Sequence, residues 1–287
     1  MKLSGKTAIV TGAIKGIGLA IAAGLARMRV QCVVTYYDWL EELPNMHKTL
    51  RNAGAEYHAV AVDLTAPGGA EKVIDETMRR FGRLDILINN IERGGWPIVH
   101  GEYTKRQWEL EFNTTITAKW MLFKQALPLL KKTGNGTVVN ISSIAGIIGR
   151  CGPAAKVFHD CYSLSNRAIR TLTETWAREA APEVRVNELM LGFFDTRHGP
   201  GTRGWGLLCE DEKKAIIDHT LLKRTGAVHE VAQAVNFLVR DATFMTGAII
   251  RLDGGYILGG EAAGIVPKGI IPPDEPGLGG TAVSIQT

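Results

Sequence analysis

Short runs of apolar, often β-branched residues alternate along the chain with stretches where apolar residues recur every three to four positions. The first pattern predicts buried strands and the second amphipathic helices. Residues 7–11 (TAIVT), 31–37 (QCVVTYY), 57–64 (YHAVAVDL), 84–89 (LDILIN), 136–142 (GTVVNIS), 184–189 (VRVNEL) and 248–252 read as strands. Helical spacing fills the intervals at about 18–28, 40–53, 70–81, 108–130, 166–176 and 229–239. The strands are apolar throughout rather than alternating, the sign of a parallel sheet covered on both faces. The pattern therefore predicts an α/β fold: a Rossmann-type doubly wound parallel sheet in one domain, residues 1–256. From there the composition shifts to Gly and Pro, and residues 257–287 are expected to form an extension, or an arm on a neighbouring subunit.

Composition narrows the function classes. A formal net charge of +4, with Lys and Arg scattered, predicts no nucleic-acid partner and no anionic membrane surface. Cys32, Cys151, Cys161 and Cys209 have no metal-ligand spacing and read as reduced thiols. No run reaches the ~18 apolar residues of a membrane span, and the amino end has neither a long apolar core nor a cleavage pattern. A soluble cytoplasmic protein is expected.

Two stretches carry chemistry. Between the first strand and first helix lies Gly12-Ala13-Ile14-Lys15-Gly16-Ile17-Gly18. Glycines there allow a tight turn and a close backbone approach to a pyrophosphate, which the helix N-terminus stabilises. In the stretch 161–179, Tyr162 and Asn166 are four apart, so one helical face presents a phenol beside an amide. A phenol, with an unperturbed pKa of about 10, is a proton donor at neutral pH and gains most from a neighbouring cation. Asn166 cannot supply one.

With these motifs in order, the chain resembles the short-chain dehydrogenase/reductase family over residues 2–256. The family's TGxxxGxG turn matches 11–18, and Asp63 with Leu64 follows the third strand, against the adenine in that family. Asn89-Asn90, Asn113, Ser143 and Tyr162 match further motifs. The resemblance implies that Ser143 and Tyr162 hold the substrate oxygen, that Tyr162 passes the proton, and that Asn113 holds a relay water. The family's lysine four residues after the tyrosine is here Asn166. The family's NNAG reads Asn89-Asn90-Ile91-Glu92, placing a carboxylate near the cofactor. Thr196, the matching carboxamide contact, is retained, and several extra residues precede Tyr162.

Magnitude gives the missing lysine a meaning. A cation about 4 Å from the phenolate, at an effective dielectric near 20, is worth up to ~4 kcal/mol, or nearly three pKa units. Without it Tyr162 is a poor base but a competent acid, so the expected direction is reduction. Lys156 or His159 in the extra loop is a candidate replacement cation, against the simpler reading of solvated loop residues.

Counting from Gly18 places Tyr36 and Tyr37 at the end of the second strand, followed by Asp38. Lys15 occupies a turn position often basic in NADP-type members, so NADP(H) is favoured over NAD(H). Residues 197–222 read as a substrate lid. Trp96, Phe193, Phe194, Trp205 and Leu207 are candidates for an apolar or aromatic pocket, with core filling as the competing reading. Arg197 and His198 are candidates for an anionic group, against the simpler reading of a solvated loop. The expected function is NADP(H)-dependent reduction of a small carbonyl substrate by a homotetramer or homodimer. The alternatives are a dinucleotide-binding protein without turnover and a non-redox lyase or isomerase.

Overall fold

The computed structural model describes residues 3–54, 56–92, 104–194, 196, 205 and 208–260. Trp96, Arg197, His198, Leu207, most of the first half of the expected lid, and nearly all of the carboxyl-terminal extension lie outside the described residues.

Seven strands, β1 (Thr7–Val10), β2 (Gln31–Tyr36), β3 (Tyr57–Ala61), β4 (Ile86–Asn89), β5 (Gly136–Ser143), β6 (Val184–Leu191) and β7 (Ile249–Leu252), form one sheet in the order β3-β2-β1-β4-β5-β6-β7. Every pairing is parallel. Parallel neighbours need crossovers, and helices supply them: α1 (Gly16–Arg27), α2 (Leu43–Ala53), α3 (Gly69–Phe81), α4 (Lys105–Phe112), α5 (Ala118–Lys132), the short α6 (Ala145–Ile148), α7 (Asp160–Ala180), α8 (Glu210–His219) and α9 (Val228–Arg240). The chain reverses between β1 and β4, which opens a crevice at the strands' carboxyl ends.

The two faces carry separate cores. One packs α1, α2 and α9 residues such as Ile21, Leu25, Leu50 and Val235 against β1 and β2. The other packs α3, α5 and α7, with Phe123 and Trp176 stacked at 4.1 Å. Arg185 on β6 ties α9 to the sheet. Its guanidinium donates to the carbonyls of Leu238 (2.9 Å), Val239 (3.1 Å) and Ala242 (2.7 Å) at the negative end of that helix.

The expected helix over 108–130 differs in detail. It is broken by a π-helical turn, Asn113–Thr117, between α4 and α5. Thr114 donates to the Leu110 carbonyl at 2.7 Å and Thr115 to Glu111 Oε1 at 2.7 Å, which holds the widened turn.

At the opposite end of the sheet, fully buried Asp85 accepts from Arg83 (2.7 Å twice), the Thr7 amide (3.0 Å) and Lys6 (3.1 Å). Burial pushes this carboxyl up, but Arg83, Thr7 and Lys6 outweigh it and hold it below the usual carboxylate range. Such a depressed group contributes stability above its unfolded pKa of about 3.9, and the contribution is lost as pH falls through the folded value. Asp85→Ala is expected to cost about 3 kcal/mol in urea unfolding at pH 7, the low end for a broken buried pair because Arg83 is half exposed. The difference from the parent should shrink as pH falls below about 4.

Candidate active site

The glycine turn is closed by its neighbours. Gly12 has φ +61°, a left-handed conformation that suits glycine. A Cβ on Gly18 would lie 2.3 Å from the Gly12 carbonyl oxygen and 2.7 Å from Asn90 Nδ2, so only glycine fits. Asn90 Nδ2 in turn donates to the Thr11 carbonyl (2.9 Å) and the Gly12 carbonyl (3.2 Å). The amides of Asn90 and Ile91 both donate to Thr11 Oγ1 at 2.9 Å. The result is a bare-backbone cradle at the start of α1, the geometry a pyrophosphate requires.

A cavity of about 320 Å³ runs from this cradle along the crevice. Of the sequence-predicted cofactor residues, Gly12, Ile14, Lys15, Gly16, Ile17, Gly18, Tyr36, Tyr37, Asp63, Leu64, Asn90, Glu92 and Thr196 all line it, as does Asp38. Lys15 Nζ sits 3.1 Å above the Trp39 ring centre, a cation–π contact at the cavity's edge. Asp63 Oδ1 accepts from the amide (2.8 Å) and hydroxyl (2.6 Å) of Thr65, which orients the loop after β3.

Ser143, Tyr162, Phe193, Phe194 and Trp205 line the same cavity. Ser143 ends β5, and its hydroxyl accepts from the Ala145 amide at 3.2 Å. Tyr162 lies in the first turn of α7, part-buried against the cavity. Burial first, then the charge and hydrogen bonding of Glu92, push the phenol well above its ordinary pKa. Hydrogen bonding with Ser143 acts in the opposite direction. The three residues converge because β4, which precedes Glu92, is the parallel neighbour of β5, and α6 hands the chain from β5 towards α7.

The readings of Asn113 and Asn166 need correction, and of the two loop residues Lys156 is solvated as the simpler reading had it while His159 is buried. Asn113 lies on the exposed face of its helix, accepts from Thr117 at 3.2 Å, and is absent from the cavity wall; Thr114 lines the wall instead. One residue along a helix turns a side chain by about 100°, and the π turn resets which residue faces inward. Asn166 is buried, but its Nδ2 donates to the Tyr162 carbonyl at 3.0 Å, so it braces α7 from within and does not line the cavity. Lys156 is drawn outward into an exposed ion pair with Glu212. Buried His159, immediately before α7, does not line the cavity either.

Sequence reasoning missed a buried charge cluster beneath the floor. Lys119 on α5 is 0% exposed and donates to the Ile141 carbonyl of β5 at 2.8 Å. Burial pushes it below the usual lysine range, against the attraction of Glu92, Glu188 and Glu111. Glu188 on β6 accepts from Ser142, and burial pushes its carboxyl up. The signals were present: Lys119 falls on the same helical stripe as Leu122, Phe123 and Ala126, and Glu188 interrupts an apolar strand.

Comparison with known proteins agrees with this architecture. A family model described as enoyl-(acyl carrier protein) reductase matches residues 12–257. The chain belongs to the short-chain dehydrogenase/reductase family. It is 30% identical to Bacillus subtilis glucose 1-dehydrogenase 2 over 259 residues, 89% of this chain and 96% of that protein. It is 28% identical to the 3-oxoacyl-(acyl-carrier-protein) reductase FabG of Thermotoga maritima over 262 residues, 90% of this chain and 100% of that one. Among solved structures, a Serratia marcescens short-chain dehydrogenase/reductase variant superposes with a TM-score of 0.75 at 25% identity, covering 89% of this chain and 99% of that one. An oxidoreductase using a nicotinamide dinucleotide follows from this membership. The cradle fits that cofactor, since its one tight point is closed to any side chain. Among the described residues no cluster of metal-ligating side chains occurs, and no helix is long and apolar enough to cross a membrane.

Proposed function

We propose that this protein reduces a carbonyl of a small organic substrate with NADPH. The observation that carries the reading is the Ser143–Tyr162 pair, set in the same cavity as the glycine cradle, with a carboxylate beside the phenol and no lysine at 166. The cofactor supplies a hydride. The substrate carbon accepts it, the π electrons move to oxygen, and that oxygen takes the Tyr162 proton while Ser143 holds it in place. An alkoxide is more basic than any phenolate, so a raised phenol pKa still permits this step. The reverse step needs a phenolate, which Glu92 opposes.

NADPH rather than NADH is favoured by Lys15, whose ammonium is held over Trp39 at the cavity's edge, where it could meet a 2′-phosphate. Asp38 lines the same end and is the feature on the side of NADH. Fluorescence titration is expected to show tighter binding of NADPH, and Lys15→Ala should weaken NADPH about tenfold while leaving NADH nearly unchanged. Equal loss for both, or a parent preference for NADH, would reverse the assignment. Binding of neither at micromolar concentration would remove the reductase reading altogether.

A cytoplasmic homotetramer or homodimer is part of the same proposal. Trp108, Phe112 and Trp120 on the α4–α5 unit and Leu164 on α7 are large apolar residues left exposed, which supports self-association through these helices. All four cysteines are free, compatible with a reducing compartment.

A further inference from the structure

The two departures around Tyr162 act in one electrostatic direction. At 166 a cation is absent, and at 92 an anion is present. Glu92 lines the cavity and couples to the reacting phenol. Its Oε1 is enclosed, with no hydrogen-bond partner among the described residues. A buried carboxylate oxygen without a partner is costly unless a ligand supplies one. Lys119 attracts this charge but is shared among Glu92, Glu188 and Glu111, and burial weakens its own cationic form.

The wall near the reacting residues is aromatic. Phe158 stacks against Tyr162 at 5.8 Å and against Phe193 at 5.6 Å, and Phe193 meets Trp205 at 6.0 Å. All four line the cavity. Ring faces attract cations, more strongly where water is excluded, and a carboxylate adds a full negative charge to the same volume. Neutral apolar substrates need only the rings; anions are repelled by Glu92.

We propose that the substrate of this site carries a positively charged nitrogen, held by Glu92 and the aromatic wall. The inference rests on the reductase reading above and names its substrate class. Two chemical sources share this feature. In an amino ketone the charge sits away from the reacting bond. The carbonyl carbon then takes the hydride supplied by NAD(P)H, and its oxygen takes the Tyr162 proton. In an iminium ion the charge is in the reacting bond. The carbon takes the hydride, the C=N π pair becomes the nitrogen lone pair, and no proton is required. In both cases the nicotinamide is oxidised and the substrate reduced by two electrons.

The test compares each cation with a neutral ring ketone of similar size. A quaternary dimethylpiperidinone cation is compared with neutral dimethylcyclohexanone, and an N-methylpyrrolinium cation with cyclopentanone. Binding is read by quenching of tryptophan fluorescence, turnover by NADPH oxidation. The expected result is a preference of about thirtyfold for the piperidinone cation over its neutral partner in both Kd and kcat/KM, or for the pyrrolinium cation over cyclopentanone in Kd. Glu92→Gln should reduce that preference by about tenfold while the folded far-UV signal is retained. The pair that shows the preference distinguishes amino ketone from iminium. Reduction of the neutral members as fast as the cations, or a preference that survives Glu92→Gln, overturns the inference and leaves the reductase reading standing. Bound NADPH with no reduction of any of the four overturns both.

Discussion

Tyr162→Phe is expected to lower kcat for carbonyl reduction by about a hundredfold to ten-thousandfold, the usual worth of a positioned proton donor. The substitution removes one oxygen from a residue whose ring already packs against Phe158, so the wall should persist. NADPH affinity is therefore expected to stay within about twofold, which separates loss of the proton donor from loss of the cavity. The parent's pH dependence follows from the same group. Burial and Glu92 hold the phenol protonated well past its ordinary value, so reduction should be flat from neutral pH to about pH 9. Alcohol oxidation needs the phenolate and should climb about tenfold per pH unit over that range. A reduction rate that falls with a midpoint near neutrality would assign the proton to a different group.

Replacing Glu92 by Gly and Asn166 by Lys together should raise alcohol oxidation at neutral pH by about a thousandfold or more. One change removes an anion coupled to the phenol; the other places a cation one helical turn away on α7. At an effective dielectric near 20, a unit charge about 4 Å away shifts a pKa by nearly three units, and both changes shift it downward. The rise of oxidation with pH should move to lower pH by the same amount. Neither single variant should reach the double, because the two changes shift the same phenol in the same direction. Position 166 is buried against α6, where Gly146 approaches the Asn166 carbonyl carbon so closely that a Cβ there would lie 2.7 Å away. A lysine at 166 therefore risks an overpacking cost of about 1–3 kcal/mol. Thermal melts of all three variants check that cost. Unchanged oxidation in a folded double variant would mean that Tyr162 is not the base.

The alternating strands and helices, the parallel sheet and the glycine turn were legible in the chain because each rests on local rules. Apolar runs such as ILIN and TVVN can be buried on both faces only in a parallel sheet, and a turn reading GAIKGIG before a helix serves few other ends. Position along the chain also identified Ser143, Tyr162 and Glu92 as site residues, by likeness to a family pattern. What they do to one another was not legible. Glu92 and Tyr162 are far apart in sequence and meet because β4 and β5 are neighbours in the sheet, while the chain returns through α6 to α7.

Asn113 failed for a specific reason. It was assigned by likeness to a family motif, which does not state which way a side chain faces, and in the structure the π turn at Asn113–Thr117 begins there, with Asn113 exposed and Thr114 at the cavity. Asn166 failed, and Lys156 proved to be the solvated loop residue of the simpler reading, because a sequence states that a charge is absent or present but not where a side chain points. One braces its own helix and the other pairs with Glu212 outside. Lys119 shows the boundary between the two kinds of knowledge. Its helical spacing marks it as inward-facing, yet only packing brings its ammonium to the Ile141 carbonyl and to three carboxylates from different parts of the fold. The sequence by itself thus determined which elements form and where the cofactor cradle lies, since those depend on near neighbours and periodic burial. Tertiary structure alone decided the charge around the reacting phenol, because Coulomb interactions depend on distances in space that no spacing along the chain encodes.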